Sequence, residues 1–149
     1  MSLRFPLQTV LELMQLRAED AARDLGRLIA AEKDAQSRLA LLVNYRDEYA
    51  ARFREAAAQG LTRQQWSNYQ EFSARIELAI EQQAAAVDAS KSRTVAGQER
   101  WRDQNQRVQA FDTLAQKHDA TQRYQEGRRE QKQLDEMVTR RHQAGDSTD

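Results

Sequence analysis

The stretch Gln59-Gly60-Leu61-Thr62-Arg63-Gln64-Gln65-Trp66 decides the fold. Gly60 supplies the φ > 0 freedom that ends a helix. Thr62 offers the hydroxyl of an N-cap, Gln65 stands three residues on to complete a capping box, and Leu61 is placed to staple onto Trp66. A helix stop is thus followed directly by a helix start. Upstream, from Leu7 to Ala58, there is no proline and Gly26 is the only glycine. Downstream, from Arg63 to Arg141, proline is again absent and the only glycines are Gly97 and Gly127. Two long helices joined by so short a turn must fold back on each other. The expected fold is all-α, a long two-helix antiparallel coiled-coil hairpin with an unpaired C-terminal helical extension. It forms a single domain over 1–149, with helix 1 over about 6–58, the turn at 59–62, helix 2 over about 63–141 and a disordered tail at 142–149.

Composition agrees. Alanine, leucine, glutamine, glutamate and arginine dominate, as in long helices and coiled coils. The only proline, Pro6, suits the first turn of a helix. Lysine plus arginine total 23, as do aspartate plus glutamate, so no bulk charge argues for nucleic acid or a membrane surface. Cysteine is absent, which excludes disulfides and thiol chemistry and permits a cytosolic home. Gln8 and Glu12 interrupt the N-terminal stretch, leaving no apolar core for a signal peptide. Nothing approaches the run of about 20 apolar residues that spans a membrane. The chain reads as soluble.

Along helix 1 a heptad frame holds for seven repeats. One seam row is Leu11, Ala18, Leu25, Glu32, Leu39, Arg46 and Phe53; the other is Met14, Ala21, Leu28, Ala35, Leu42, Tyr49 and Ala56. Only Glu32 and Arg46 break the apolar pattern. Glu19 with Arg23, and Glu48 with Arg52, stand at the favourable i,i+4 spacing for ion pairs on the solvated face. On helix 2 the frame continues through Tyr69, Ile76, Ile80 and Val87. It deteriorates through Gln83, Ser90, Thr94, Gly97 and Gln104, and recovers at Trp101, Val108, Phe111, Leu114 and Ala115. Residues equidistant from Gly60 face each other, unless the register is displaced by one turn. Leu42 then meets the region of Leu78, Leu25 that of Val95, and Leu11 that of Val108 and Gln109. With Gly26 and Gly97 at nearly the same level, a loosely packed middle is expected between two better-packed ends. Beyond about Lys117 helix 2 has no partner left in helix 1, although Leu134, Met137 and Val138 can form a short apolar patch.

Catalytic chemistry is missing. His118 and His142, the only histidines, lie far apart in polar neighbourhoods and read as surface residues. There is no HExxH, no glycine-rich phosphate loop and no EF-hand spacing. The carboxylates are spread along helix faces, and a two-helix hairpin offers little concavity in which to bury them. No enzyme activity, metal or cofactor is expected.

Two features ask for a partner instead. Near the turn, Tyr45, Tyr49 and Phe53 recur at spacing four, and Trp66, Tyr69, Phe72 and Ile76 at three to four. A two-helix seam has room for two rows, and Tyr45 and Phe72 fall beside them. The rings either anchor a bound protein or simply cover the end of the seam; both readings stand. At the opposite end, Leu7, Leu11, Met14 and Arg17 come together with Trp101, Val108 and Phe111. An extension carrying Arg123, Arg128, Arg129, Arg140 and Arg141 follows. It is either an insertion element for a partner with a hole or groove, or a solvated charged helix. Its interleaved Asp119, Glu126, Glu130, Asp135 and Glu136 deny it the one-signed patch of a nucleic-acid binder.

The pattern Phe5-Pro6-Leu7-Gln8-Thr9-Val10-Leu11, Arg17 followed by Leu25 and Leu28, and Tyr45-Arg46-Asp47-Glu48-Tyr49 ahead of the Gln59-Gly60 turn resemble the FliJ family. The resemblance runs from about Leu3 to Val138. Members are small flagellar type III export proteins, similar in shape to the YscO-type stalk proteins of injectisomes. It implies a cytoplasmic component, peripheral at the inner-membrane export apparatus, that serves flagellum biogenesis and motility and handles substrate chaperones. The terminal end would sit in the ring of the hexameric export ATPase, FliI, and promote ring assembly, by region through Leu7, Leu11, Met14, Arg17, Trp101 and Phe111. The turn-proximal surface would contact the export gate protein FlhA through Leu42, Tyr45, Tyr49, Phe72, Ile76 and Ala79. Where the family often carries a histidine, Gln83 stands here. On its own the chain would be a monomer. The alternatives are a self-associating structural coiled-coil module and the equivalent stalk of a virulence-type injectisome.

Overall fold

The computed structural model of the chain describes residues 7–146. It contains two elements, α1 (Gln8–Gln59) and α2 (Arg63–Asp146), packed against each other as an antiparallel hairpin. The start of α1 is set by Leu7, whose carbonyl accepts the first helical bond from the Leu11 amide at 2.9 Å. Pro6, expected in that first turn, and the Leu3–Phe5 stretch lie outside the described residues.

The turn forms as its residues dictate. Gly60 adopts φ 101°, a left-handed conformation that costs a glycine little, and its amide donates to the Ala57 carbonyl at 3.2 Å. Both halves of the capping box are made. The Gln65 amide donates to Thr62 Oγ1 at 3.1 Å, and the Thr62 amide donates to Gln65 Oε1 at 3.0 Å. Two otherwise orphaned donors at the start of α2 are thereby satisfied.

The helices build two compact units. The first comprises Met1–Ala18 with Gln104–Asp149, the second Glu19–Asp103. In the second unit both seam rows of α1 are covered, from Ala21 to Phe53, and only Ala56 at the end of its row is exposed. Glu32 and Arg46 are half-buried within those rows as the frame requires. Facing pairs follow the rule of equal distance from Gly60: Tyr49 with Phe72, Arg46 with Glu77, Ala35 with Gln83, Leu28 with Thr94. Leu78 and Val95, at the levels expected, point outward and are exposed.

The middle of the hairpin is tight, contrary to the expectation of loose packing. Val87, Ser90 and Thr94 are buried, and Gly97 with them. Small side chains let the helices approach until the polar groups of α2 reach the α1 backbone. Gln83 Nε2 donates to the Ala35 carbonyl at 3.0 Å, and Thr94 Oγ1 is 3.4 Å from that of Leu28 and 3.1 Å from that of Ser90. Gly26 takes no part in this approach, because it is exposed with nothing near it.

In the first unit Leu11 is buried, with Met14 and Ala18 half-buried beside it on α1. On α2, Gln104, Val108, Phe111 and Ala115 are half-buried. Burial persists past Lys117 to His118 and Gln122, whose Nε2 atoms stand 3.5 Å apart. His118 is therefore a seam residue and not the surface histidine expected. From Arg123 through Gly145 every side chain is exposed, including Tyr124, Leu134, Met137 and Val138. The helix does not stop at Arg141 but continues to Asp146, taking in most of the expected tail; no proline interrupts it, and Gln143 and Ala144 are compatible with helix. Residues 147–149 lie outside the described part.

Candidate protein-binding surface

The turn end of the second unit carries a continuous ladder of rings. Tyr45 meets the edge of Phe72, with centroids 5.8 Å apart at 61°. Phe72 lies 4.1 Å from Tyr49, which stacks on Tyr69 at 5.5 Å and 6°. Tyr69 stacks in turn on Phe53 at 3.6 Å, and Phe53 stands 5.5 Å from Trp66. A helix places residues three and four apart on one face, so the spacing of these rings makes the ladder unavoidable once the hairpin closes. Tyr49, Phe53, Tyr69 and Phe72 are half-buried and cover the seam. Tyr45 at 54% and Trp66 at 48% exposure present large apolar area to solvent.

Of the six residues assigned to a gate contact, Leu42, Tyr45, Tyr49, Phe72 and Ala79 retain accessible surface. Ile76, at 7% exposure, packs in the seam between the helices. Leu41, at 68% exposure, enlarges the apolar surface one turn before Tyr45 and was not singled out by the heptad reading, which looks only for seam positions. Arg46, also on the seam, bonds Asp47 through Nε at 3.2 Å and reaches Glu77 across the hairpin at 3.4 Å. The hydrogen bond to Asp47 raises its pKa above the ordinary arginine value, burial opposes this, and the charges of Glu77 and Asp47 reinforce it.

Other expected ion pairs are rearranged. Arg23 pairs with Asp20 and not with Glu19, and Arg27 pairs with Asp24. Arg52 makes no ion pair with Glu48 among the described residues; its side chain lies on the rim of a hollow of about 320 Å³ beside the turn. Tyr49, Phe53, Ala56, Leu61, Gln65, Asn68 and Tyr69 complete its lining.

The residues assigned to an ATPase contact are divided between the two units. Leu7, Leu11, Met14, Arg17 and Phe111 belong to the first unit, whereas Trp101 belongs to the second. Leu7, Arg17 and Trp101 are exposed, Met14 and Phe111 half-buried. Leu11 is core at 4% exposure, so its role is packing.

Among the described residues no group of three or more histidine, cysteine, aspartate or glutamate side chains is placed to hold a metal ion. No helix there is long and apolar enough to cross a membrane. What the chain offers is a ring-rich protein surface on a coiled coil.

The description "Flagellar FliJ protein" attaches to the family model that matches residues 3–147. The chain belongs to the flagellar FliJ family. The Flagellar FliJ proteins of Salmonella typhi and Escherichia coli (strain K12) are each 31% identical to it over 134 residues, which are 90% of this chain and 91% of theirs. Membership of the FliJ family supports a component of the flagellar export apparatus.

Proposed function

We propose that this chain is the coiled-coil stalk of the flagellar type III export apparatus. Its terminal end binds a FliI-like ATPase ring and promotes ring assembly, and its turn-proximal surface contacts a FlhA-like export gate. The observation that carries this reading is the ring ladder from Tyr45 to Trp66, which leaves Tyr45 and Trp66 about half in solvent. Clustered, partly exposed aromatic side chains are the usual anchors of protein interfaces. Within the gate contact, Tyr45, Tyr49, Phe72, Leu42 and Ala79 supply the surface and Ile76 its support. At the other end, Leu7, Met14, Arg17 and Phe111 supply the ATPase-facing surface over the buried Leu11. Peripheral location at the cytoplasmic face of the inner membrane and service to substrate chaperones belong to the same proposal.

The experiment is a titration of the full chain into the export ATPase of the same organism, following ATP hydrolysis and ring formation together. A saturable rise in both, lost when residues 3–17 are deleted, is the expected result. A flat response from a competent ATPase would overturn the stalk reading.

A further inference from the structure

We infer that the part of α2 beyond Gln122 is a homotypic docking element, which pairs antiparallel with the same segment of a second copy of this chain. From Arg123 through Gly145 every side chain is exposed, and Tyr124, Leu134, Met137 and Val138 are each more than half open to solvent. These apolar residues do not prolong the seam with α1. That seam runs along α2 through Gln104, Val108, Phe111, Ala115, His118 and Gln122. Its spacing of three and four leads on to Gln125, Arg129, Lys132 and Glu136, all of them polar. The extension instead carries a second stripe on another face: Tyr124, Gly127, Gln131, Leu134, Val138 and Arg141. A helix draws most of its stability from packing an apolar stripe, and among the described residues this one is uncovered.

The charges beside the stripe select the occupant. Arg128 and Asp135 flank it on one side, Arg123 and Glu130 on the other. The Arg128 guanidinium lies 5.9 Å from the Tyr124 ring centre, and neither Arg128 nor Asp135 makes an ion pair among the described residues. Two parallel copies would bring opposite flanks together, Arg123 facing Arg128 and Glu130 facing Asp135, so like charges would meet at both places. Two antiparallel copies bring the same flank together. With the two-fold axis between Lys132 and Gln133, Arg128 faces Asp135 of the second copy, and Asp135 faces its Arg128. On the other flank Glu130 meets Met137 and Arg123 meets Ala144, with no charge opposed. The same register sets Leu134 against Gln131, fills the gap at Gly127 with Val138, and lays Arg141 beside the Tyr124 ring. A slip of one heptad in either direction puts Arg128 against Arg128 or Asp135 against Asp135. The pattern thus specifies orientation and register together. The overlap is short, and Gly127 and Gln131 contribute little burial, so the pair belongs to the weak class and the chain is a monomer when dilute.

The test is sedimentation equilibrium of the full chain from about 10 μM to about 1 mM, with a monomer–dimer Kd on the order of 100 μM expected. Arg128→Asp and Asp135→Arg each set like charges across the pair, and each should weaken self-association at least about tenfold at unchanged helicity. An equimolar mixture of the two variants restores both opposite-charge contacts and should dimerise again, as should a chain carrying both substitutions. Parallel pairing gives the reverse result, because Arg128→Asp would then relieve repulsion from Arg123 and tighten the dimer. A chain that stays monomeric up to about 1 mM would overturn the inference and leave the stripe to a different protein. Single variants that dimerise like the native chain, or a mixture that fails to recover, would overturn it as well. The pairing uses none of the residues assigned to the gate or the ATPase, and the measurement includes neither protein. Failure here and failure of the stalk reading are therefore separate results.

Discussion

Gly97 on α2 stands so close to Leu28 on α1 that a Cβ at Gly97 would fall 2.6 Å from the Leu28 Cδ1 and 3.6 Å from the Leu25 Cδ1. The backbone of Leu25 comes next, at 3.9 Å. This is where the hairpin is drawn tightest, and it separates two substitutions that look alike. Gly97→Ala asks only the end of a flexible leucine to turn aside, and it gains up to about 1 kcal/mol of helix propensity in return. Gly97→Val must push the helices apart, and should lower stability by about 1–3 kcal/mol in urea unfolding. Equal effects of the two would show that the approach is not tight.

Gly26 gives the opposite result. It is exposed in mid-helix with open space where a Cβ would go. Gly26→Ala should raise stability by about 0.5–1 kcal/mol. A loss of stability would mean that the small side chain at Gly26 is needed for packing.

Tyr45 and Tyr49 should also separate. Tyr49 touches Phe72 and Tyr69, whereas Tyr45 meets only the edge of Phe72. Tyr49→Ala should cost about 2–4 kcal/mol by opening a hole in the ladder. Tyr45→Ala should cost under about 1 kcal/mol while still weakening a gate contact, since its ring is mostly a surface group. Circular dichroism through a urea series checks the first claim, and binding to the isolated gate domain checks the second. A Tyr45→Ala chain that unfolds would make that ring core.

Thr62→Ala removes one half of the capping box and strands the Gln65 amide. A loss of about 1 kcal/mol is expected, concentrated at the start of α2 and visible as faster amide hydrogen exchange at Gln65 and Trp66. Exchange rates unchanged at those two amides would mean that the cap is not what holds the turn.

Much of the hairpin is legible because a coiled-coil seam repeats. Each leucine on α1 repeats the same geometric statement, so Glu32 and Arg46 could be placed on the seam although neither is apolar. The turn was legible for a different reason: Gly60, Thr62 and Gln65 each have a local job that their own chemistry defines. The middle was misread because Ser90, Thr94 and Gly97 look like poor packing residues, whereas their small size lets the helices approach until Thr94 reaches the Leu28 carbonyl. Leu11 was assigned to a partner surface by region and Ile76 by position in the family pattern, and neither assignment carries the depth of burial that the structure gives these two residues.

The bonds from Gln83 and Thr94 go to main-chain carbonyls, those of Ala35 and Leu28. Every residue of a helix carries such a carbonyl, and each can accept a second bond beside its helical one. These two bonds therefore fasten the helices without numbering them. Numbering comes from particular side chains, Leu28 against Gly97 in the middle and ring against ring near the turn. A matched heptad inserted in both arms between those two places leaves every such contact with its own partner.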